Sequence, residues 1–245
     1  MNRFEQQRAC CRWRRFSHKA YAVFQSLHSE VCIGVLGVTM LSACTFANPP
    51  GEEQLQQGDL LFCIEEDGSE GLGGAIAAVT EGVASQSITH VAVVVDRVHV
   101  VEATPLEGVR VKDLSQWLAD AGQGPDGKPL VVAGRLRDTL GLSASVERIM
   151  KYVGRPYDFL YQPDDSAIYC SELVQLSYQR PDGRPVFEQQ PMSFSDSTGQ
   201  IDPYWAELYA KHQMEVPEGA PGTNPGAMSR DSAIRIIEFE YSSNR

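Results

Sequence analysis

An α+β fold is what this sequence predicts, on three observations. Short β-rich runs crowd the first half of the chain, helical periodicities fall unevenly between and after them, and no internal repeat or low-complexity block divides the chain. The first strand is Asp59–Ile64, five apolar residues behind a Gly58-Asp59 turn. Ile76, Val79 and Val83 then recur at helical spacing within 71–85. Three β-rich runs follow at Thr89–Val95, Val98–Ala103 and Val109–Lys112, and a helix over Leu114–Ala121 has Asp113 or Ser115 as its cap. Gly122–Pro129 reads as a loop and Leu130–Leu136 as a strand. An amphipathic helix over Ser143–Val153, capped by Ser143, is stopped by Gly154-Arg155-Pro156. Beyond a loop, a helix opens at Cys170 and runs to about Gln179, where Pro181-Asp182-Gly183 ends it. The pattern then weakens to a short helix at Pro203–His212, a Gly- and Pro-rich stretch over Pro217–Ser229, and an alternating final strand at Ala233–Tyr241.

Residues 1–43 read as an export signal. Arg8, Arg12, Arg14, Arg15 and Lys19 precede an apolar run from Val31 to Leu41 that is too short to span a bilayer. Leu41-Ser42-Ala43-Cys44 resembles the bacterial lipobox, which makes Cys44 the acylated first residue of the mature chain. Residues 44–57 then form a tether and 58–245 one domain. Thr45 behind the lipidated Cys, rather than Asp, is similar to lipoproteins sorted to the outer membrane. Residues 1–43 hold six of the 21 basic and two of the 32 acidic residues, leaving 15 against 30, a net charge of −15. Such an acidic surface argues against nucleic acid and offers no polybasic membrane patch, so membrane attachment rests on the lipid at Cys44. Beyond the signal and Cys44, only Cys63 and Cys170 carry thiols. Cys63 sits in an apolar strand, the usual place for an inert buried cysteine, and two free thiols are expected.

Cys170, at the start of a helix, and His90, in an apolar strand, suggest a nucleophile and its base. A helix N-terminus and a neighbouring imidazolium both favour negative charge on sulfur. Glu102 lies twelve residues beyond His90, across a hairpin. A turn centred on Asp96 pairs residues whose numbers sum to 192, setting Glu102 opposite His90 on one face, where a carboxylate orients the imidazole. A two-residue turn at Asp96-Arg97 instead faces Glu102 to Val91 and separates the pair. No His-Glu-x-x-His, paired Cys-x-x-Cys or Asp-rich calcium loop is present, so no metal or other cofactor is expected.

Gly154-Arg155-Pro156-Tyr157 and Tyr169-Cys170-Ser171-Glu172-Leu173-Val174 resemble the nucleophile block of the NlpC-type papain-like cell-wall peptidases. Gly58-Asp59-Leu60-Leu61-Phe62, Thr89-His90-Val91-Ala92-Val93 and Val101-Glu102-Ala103 resemble their second block. Here the order of the blocks is reversed, as in the circularly permuted papain-like amidases, which include bacterial peptidoglycan peptidases and, more distantly, the lecithin:retinol acyltransferases. The resemblance implies an antiparallel sheet or small barrel packed against helices. It makes Cys170 the nucleophile, His90 the base, Glu102 the residue orienting His90 and Tyr157 a donor to the oxyanion, with Tyr169, Ser171 and Glu172 near the substrate. Tyr169 replaces the Asp that in NlpC-type enzymes helps hold a free amine, Glu172 stands where they have Gly, and Glu102 replaces their usual third-position His. The implied activity is cleavage of an amide in peptidoglycan stem peptides or cross-links. Two rivals are a lipid-directed thioesterase or acyltransferase, marked by a wide apolar groove beside Cys170, and a binding module without turnover.

Overall fold

The computed structural model describes residues 52–65, 70–196, 198–239 and 241. The signal and Cys44 lie outside the described residues. Along the chain come β1 (Glu52–Glu53), β2 (Leu60–Ile64), α1 (Gly71–Ala77), β3 (Ile88–Val94), β4 (His99–Thr104), β5 (Gly108–Asp113), α2 (Leu114–Asp120), β6 (Val131–Leu136), α3 (Leu142–Met150), α4 (Cys170–Ser177), β7 (Gln190–Pro191), α5 (Pro203–Lys211), β8 (Pro221–Gly222), α6 (Pro225–Ser229) and β9 (Ile234–Phe239). Seven strands make one sheet in the order β1-β9-β6-β2-β3-β4-β5, antiparallel except for the β1–β9 pair, and β7 and β8 form a separate two-stranded piece. The sheet takes in Glu52–Glu53, upstream of the Gly58 at which the sequence reading starts the domain. Arg135 and Arg235 hold Glu53 there.

Both faces of the sheet are covered, which is why β3 is buried along its whole length and its Val91–Val94 run is apolar throughout rather than alternating. Leu60, Phe62, Val91, Val93, Val101 and Ala103 pack under the helices that include α4. Leu61, Ala92, Val94, Val100 and Ala133 pack on the other side, under Trp117 and Leu118 of α2. Asp113 is the cap of α2, its Oδ1 accepting the Gln116 N–H at 2.9 Å.

Two helices differ from their sequence readings. The helix expected over 71–85 stops at Ala77, because Thr80 Oγ donates to the carbonyls of Ile76 and Ile88 and so ties the chain back to β3. Ala84 and Ser85 then have positive φ, which no helix continues through. In α3 the residue before the first turn is Gly141 at φ +83°, not Ser143, and no side chain caps it.

Two hairpin features position the site. In the β3–β4 hairpin, Ala92 faces Glu102 and Val94 faces Val100, a register two residues away from the one centred on Asp96. Asp96 Oδ1 accepts the N–H groups of Val98 and His99 at 2.8 and 2.9 Å, and the turn closes at Val95–His99. Because the shift is even, Glu102 keeps the face expected for it. Between β2 and β3, Cys63 pairs with His90 but Ile64 pairs with Ile88, leaving Thr89 as an extra residue. This bulge breaks the alternation beside His90, and Ile88, of the same parity, lies in the core beneath α4.

The β4–β5 turn docks the loop that leads to α4. Val109 N–H donates to Arg155 C=O and Gly154 N–H donates to Val109 C=O, both at 2.8 Å. Gly108, at φ +66°, lies so close that an added Cβ would sit 2.1 Å from the Arg155 oxygen. Gly108→Ala is therefore expected to lower unfolding stability by more than about 1 kcal/mol, measured by urea denaturation.

Candidate active site

Cys170 is the first residue of α4, and Tyr169 before it is extended (φ −94°, ψ 170°). At that position the backbone N–H has no acceptor within the helix and is available to an external oxygen. The far end of α4 is tied down by Tyr178, whose buried hydroxyl donates to Gly58 C=O at 2.9 Å, and Leu173 and Val174 are buried beneath. The backbone of Cys170 is thus carried on a helix anchored at its far end to Gly58, just ahead of β2, and packed on β3 and β4 along its length.

His90 joins the two sides of the sheet. Its Nε2–H donates to Glu102 Oε2 at 2.8 Å, which leaves Nδ1 for another partner, and Cys170 is a near enough neighbour to raise the pKa of the ring. Trp117 Nε1–H donates to the same Glu102 oxygen at 2.8 Å, while Arg110 Nε and Nη2 donate to Oε1 at 3.0 and 2.7 Å. Every neighbour of the carboxylate is a donor, so Nε2 must carry a proton and the ring presents Nδ1 to sulfur. His90 and Glu102 are 3 % and 2 % exposed. They are diagonal rather than direct cross-strand neighbours, a separation that an imidazole and a glutamate side chain can bridge.

Burial, the largest influence on both groups, opposes charge but is outweighed. Hydrogen bonds and charges of Cys170 and Glu102 hold His90 well above the ordinary imidazole value of 6.5. His90, then Arg110 and Trp117, bring Glu102 down to about 2 from 4.5. Glu102 thus contributes stability that is present above its ordinary range and lost as pH falls from about 4.5 towards 2. His90, with its raised value, contributes stability that is complete below 6.5 and lost as pH rises through its folded-state value. Thermal melts between pH 5 and 2 are expected to show a steep acid fall in the wild type and a shallower one in Glu102→Gln.

Arg110 and Trp117 were not legible as site residues in the sequence reading. Arg110 could have been found from register, since it lies directly opposite Glu102 in the β4–β5 hairpin. Trp117 is brought in by the docking of α2, which no local pattern signals.

The remaining sequence-predicted residues are placed as follows. Tyr157 is buried, its ring edge-on to Phe159 with centroids 5.1 Å apart, in a loop pinned by the Ile168 N–H to Pro156 C=O bond. Tyr169 and Ser171 line a cavity beside Cys170, and the Gly- and Pro-rich stretch engages both. Thr223 N–H donates to Tyr169 Oη at 3.0 Å, and Thr223 Oγ lies 3.1 Å from Ser171 Oγ. Glu172 is buried away from that cavity and accepts only a long 3.3 Å bond from Tyr169 N–H. Burial, with the charges of Asp158, Asp164 and Asp165, pushes its carboxyl up to about 8, so it is neutral at pH 7. Cys63 and Cys170 are both buried, and neither is in a disulfide.

A thiol on a helix start, an imidazole and a buried carboxylate are thus brought together on a helix-covered antiparallel sheet. The chain belongs to the permuted papain-like amidases of the YaeF/YiiX, C92 family, whose model matches residues 54–238. It is 34 % identical over 110 residues to the uncharacterized protein YiiX of Escherichia coli strain K12, a match covering 42 % of this chain and 51 % of that one. The chain thus spans about half the length of this curated relative. A crystal structure described as the metalloprotein yiiX from Escherichia coli O157:H7 is similar with a TM-score of 0.57 and 25 % identity, over 78 % of this chain and all of that one. Among the described residues of the present chain, no three His, Cys, Asp or Glu side chains are grouped as metal ligands.

Proposed function

We propose that Cys170 attacks an amide carbonyl of a peptidoglycan stem peptide or cross-link, with His90 as base and Glu102 as the residue that orients His90. The observation that carries this reading is His90 itself, hydrogen-bonded to a carboxylate with three other donor bonds and held above the ordinary imidazole value by its neighbours Cys170 and Glu102. In the first step sulfur, its proton already taken up by His90 Nδ1 in keeping with the raised His90 value, bonds to the carbonyl carbon. The oxyanion faces the Cys170 N–H, and Tyr157 is the second donor in this reading. His90 then returns the proton to the departing nitrogen, leaving a thioester. Water, deprotonated by His90, hydrolyses it and restores the thiol.

The lipobox at Cys44 supports action from the periplasmic side of the outer membrane, with the acidic domain held near the cell wall by its lipid. Fatty-acid labelling in cells that is lost in Cys44→Ala tests that placement.

The lipid-directed rival asks for a wide apolar groove beside Cys170. The cavity there is lined by Ile76 and Val79 but measures only about 50 Å³, which favours a small group. Mass spectrometry of a mixture of muropeptides and phospholipids after incubation with the purified protein separates the readings. New peptide termini support the amidase, whereas deacylated lipids without peptide cleavage overturn it.

A further inference from the structure

The cavity beside Cys170 is uncharged, with hydroxyl and amide groups of Thr80, Ser171, Ser193 and Asn224 set among apolar walls. Ile76, Val79, Met192, Phe194, Trp205 and Pro225 contribute apolar walls, and none of its lining residues is Asp, Glu, Lys, Arg or His. Its volume of about 50 Å³ exceeds the roughly 10–15 Å³ that a water requires and falls well short of the roughly 150 Å³ of an apolar cavity that holds benzene. That is room for a few carbon atoms. An ammonium or carboxylate placed there would lose its hydration with no opposite charge in reply.

A second observation points to what lies next to those carbons. Trp205 is 2 % exposed, and its indole N–H meets no acceptor among the described residues. Its ring is fixed edge-on among Tyr161, Phe194 and Tyr204, with centroids 5.0–5.6 Å away, so the N–H has no freedom to seek water. Buried donors are nearly always paired; Trp205 is among the residues that line the cavity, and its unpaired N–H, shut off from the cavity's open space in the free protein, is the donor that a molecule pressing into that wall would satisfy.

We propose that this cavity is the subsite for the side chain on the carbonyl side of the scissile bond. It takes a short, uncharged aliphatic group such as that of an alanyl residue, with a neighbouring oxygen of the same substrate accepting the Trp205 N–H. The assignment rests on Cys170 being the nucleophile and adds to that reading the identity of the residue it attacks. It also accounts for Tyr169 in place of an acid before the nucleophile. The Tyr169 hydroxyl is held by Thr223, and the subsite carries no anion for a free amine.

The test is covalent labelling of the full protein with acetyl-aminoacyl acyloxymethyl ketones, in which the Cys170 thiolate displaces the carboxylate leaving group to form a thioether. The aminoacyl group is glycyl, alanyl, leucyl, lysyl or glutamyl, and intact-mass measurement with peptide mapping gives the rate at Cys170. The alanyl reagent is expected to label several-fold faster than the glycyl one and at least tenfold faster than the leucyl, lysyl and glutamyl ones. Val79→Phe, which fills the cavity, is expected to erase the alanyl advantage over glycyl, and Trp205→Phe, which removes only the N–H, to slow the alanyl reagent several-fold. Labelling of Cys170 at equal rates across the series, or fastest with a charged or long side chain, overturns the subsite alone. Absence of labelling at Cys170 by every reagent overturns the nucleophile and the subsite together.

Discussion

Cys170→Ala is expected to lower muropeptide cleavage roughly 10⁴-fold or more, and His90→Ala to cost nearly as much. The double variant is expected to be no worse than Cys170→Ala alone. Nucleophile and base act as a unit: without the thiol there is nothing for Nδ1 to deprotonate, and without the imidazole the leaving amine has no proton donor. Progress curves for the three variants, normalised to wild type, provide the check. The two losses adding as independent factors would place His90 outside the reaction, in a purely structural role between Glu102 and α4. Cys170→Ser adds a control on geometry, since it keeps a hydroxyl at the same point of the helix with a much weaker nucleophile. Its rate is expected to stay near that of Cys170→Ala, while its thermal melt stays near that of wild type, because only one atom of a 4 % exposed side chain has changed.

How far such a site can be read from sequence shows most clearly in the hairpin that carries His90 and Glu102. Parity was legible: twelve residues is an even separation, and any turn preserving an even pairing sum leaves the two side chains on one face. The pairing itself was not, because Asp96 accepts two backbone N–H groups and makes a turn over Asp96-Arg97-Val98 that neither trial register contains. The helix that opens at Cys170 was legible for a different reason. Tyr169–Val174 is a contiguous signal, and its apolar residues meet the sheet at helical spacing. Tertiary contacts cut short the helix expected over 71–85, since the Thr80 hydroxyl that ends it bonds to Ile88 on another element. The weakly patterned stretch after Pro217 owes its order to the site. β8 is two residues long and α6 five, too short for periodicity, and Thr223 is placed by Tyr169 and Ser171 rather than by its neighbours in sequence. Where position depends on a single hydrogen bond to a distant residue, composition has nothing to register.

The second large effect belongs to Glu102. Glu102→Ala is expected to cost about 3 kcal/mol of unfolding stability or more, because it removes the acceptor for His90, Trp117 and Arg110 together and leaves a guanidinium that is 15 % exposed short of a partner. Arg110 also pairs with Glu107 at the surface, which limits the loss. Glu102→Gln separates shape from charge. Its amide oxygen can take the Nε2–H of His90 and the Trp117 N–H while its NH₂ displaces Arg110 towards Glu107, so the ring keeps the tautomer that faces sulfur. Activity is expected to survive in Gln at a reduced level and to fall by two orders of magnitude or more in Ala. What changes in Gln is the charge on His90: one of the two influences that hold its pKa up, the carboxylate, is gone. The limb of the pH–rate profile set by loss of the His90 proton is therefore expected to move to lower pH in Glu102→Gln. A limb that stays in place while the melt shifts would assign Glu102 to stability alone, and a shift that matches the lost carboxylate would show that the buried acid sets the protonation of the base as well as its orientation.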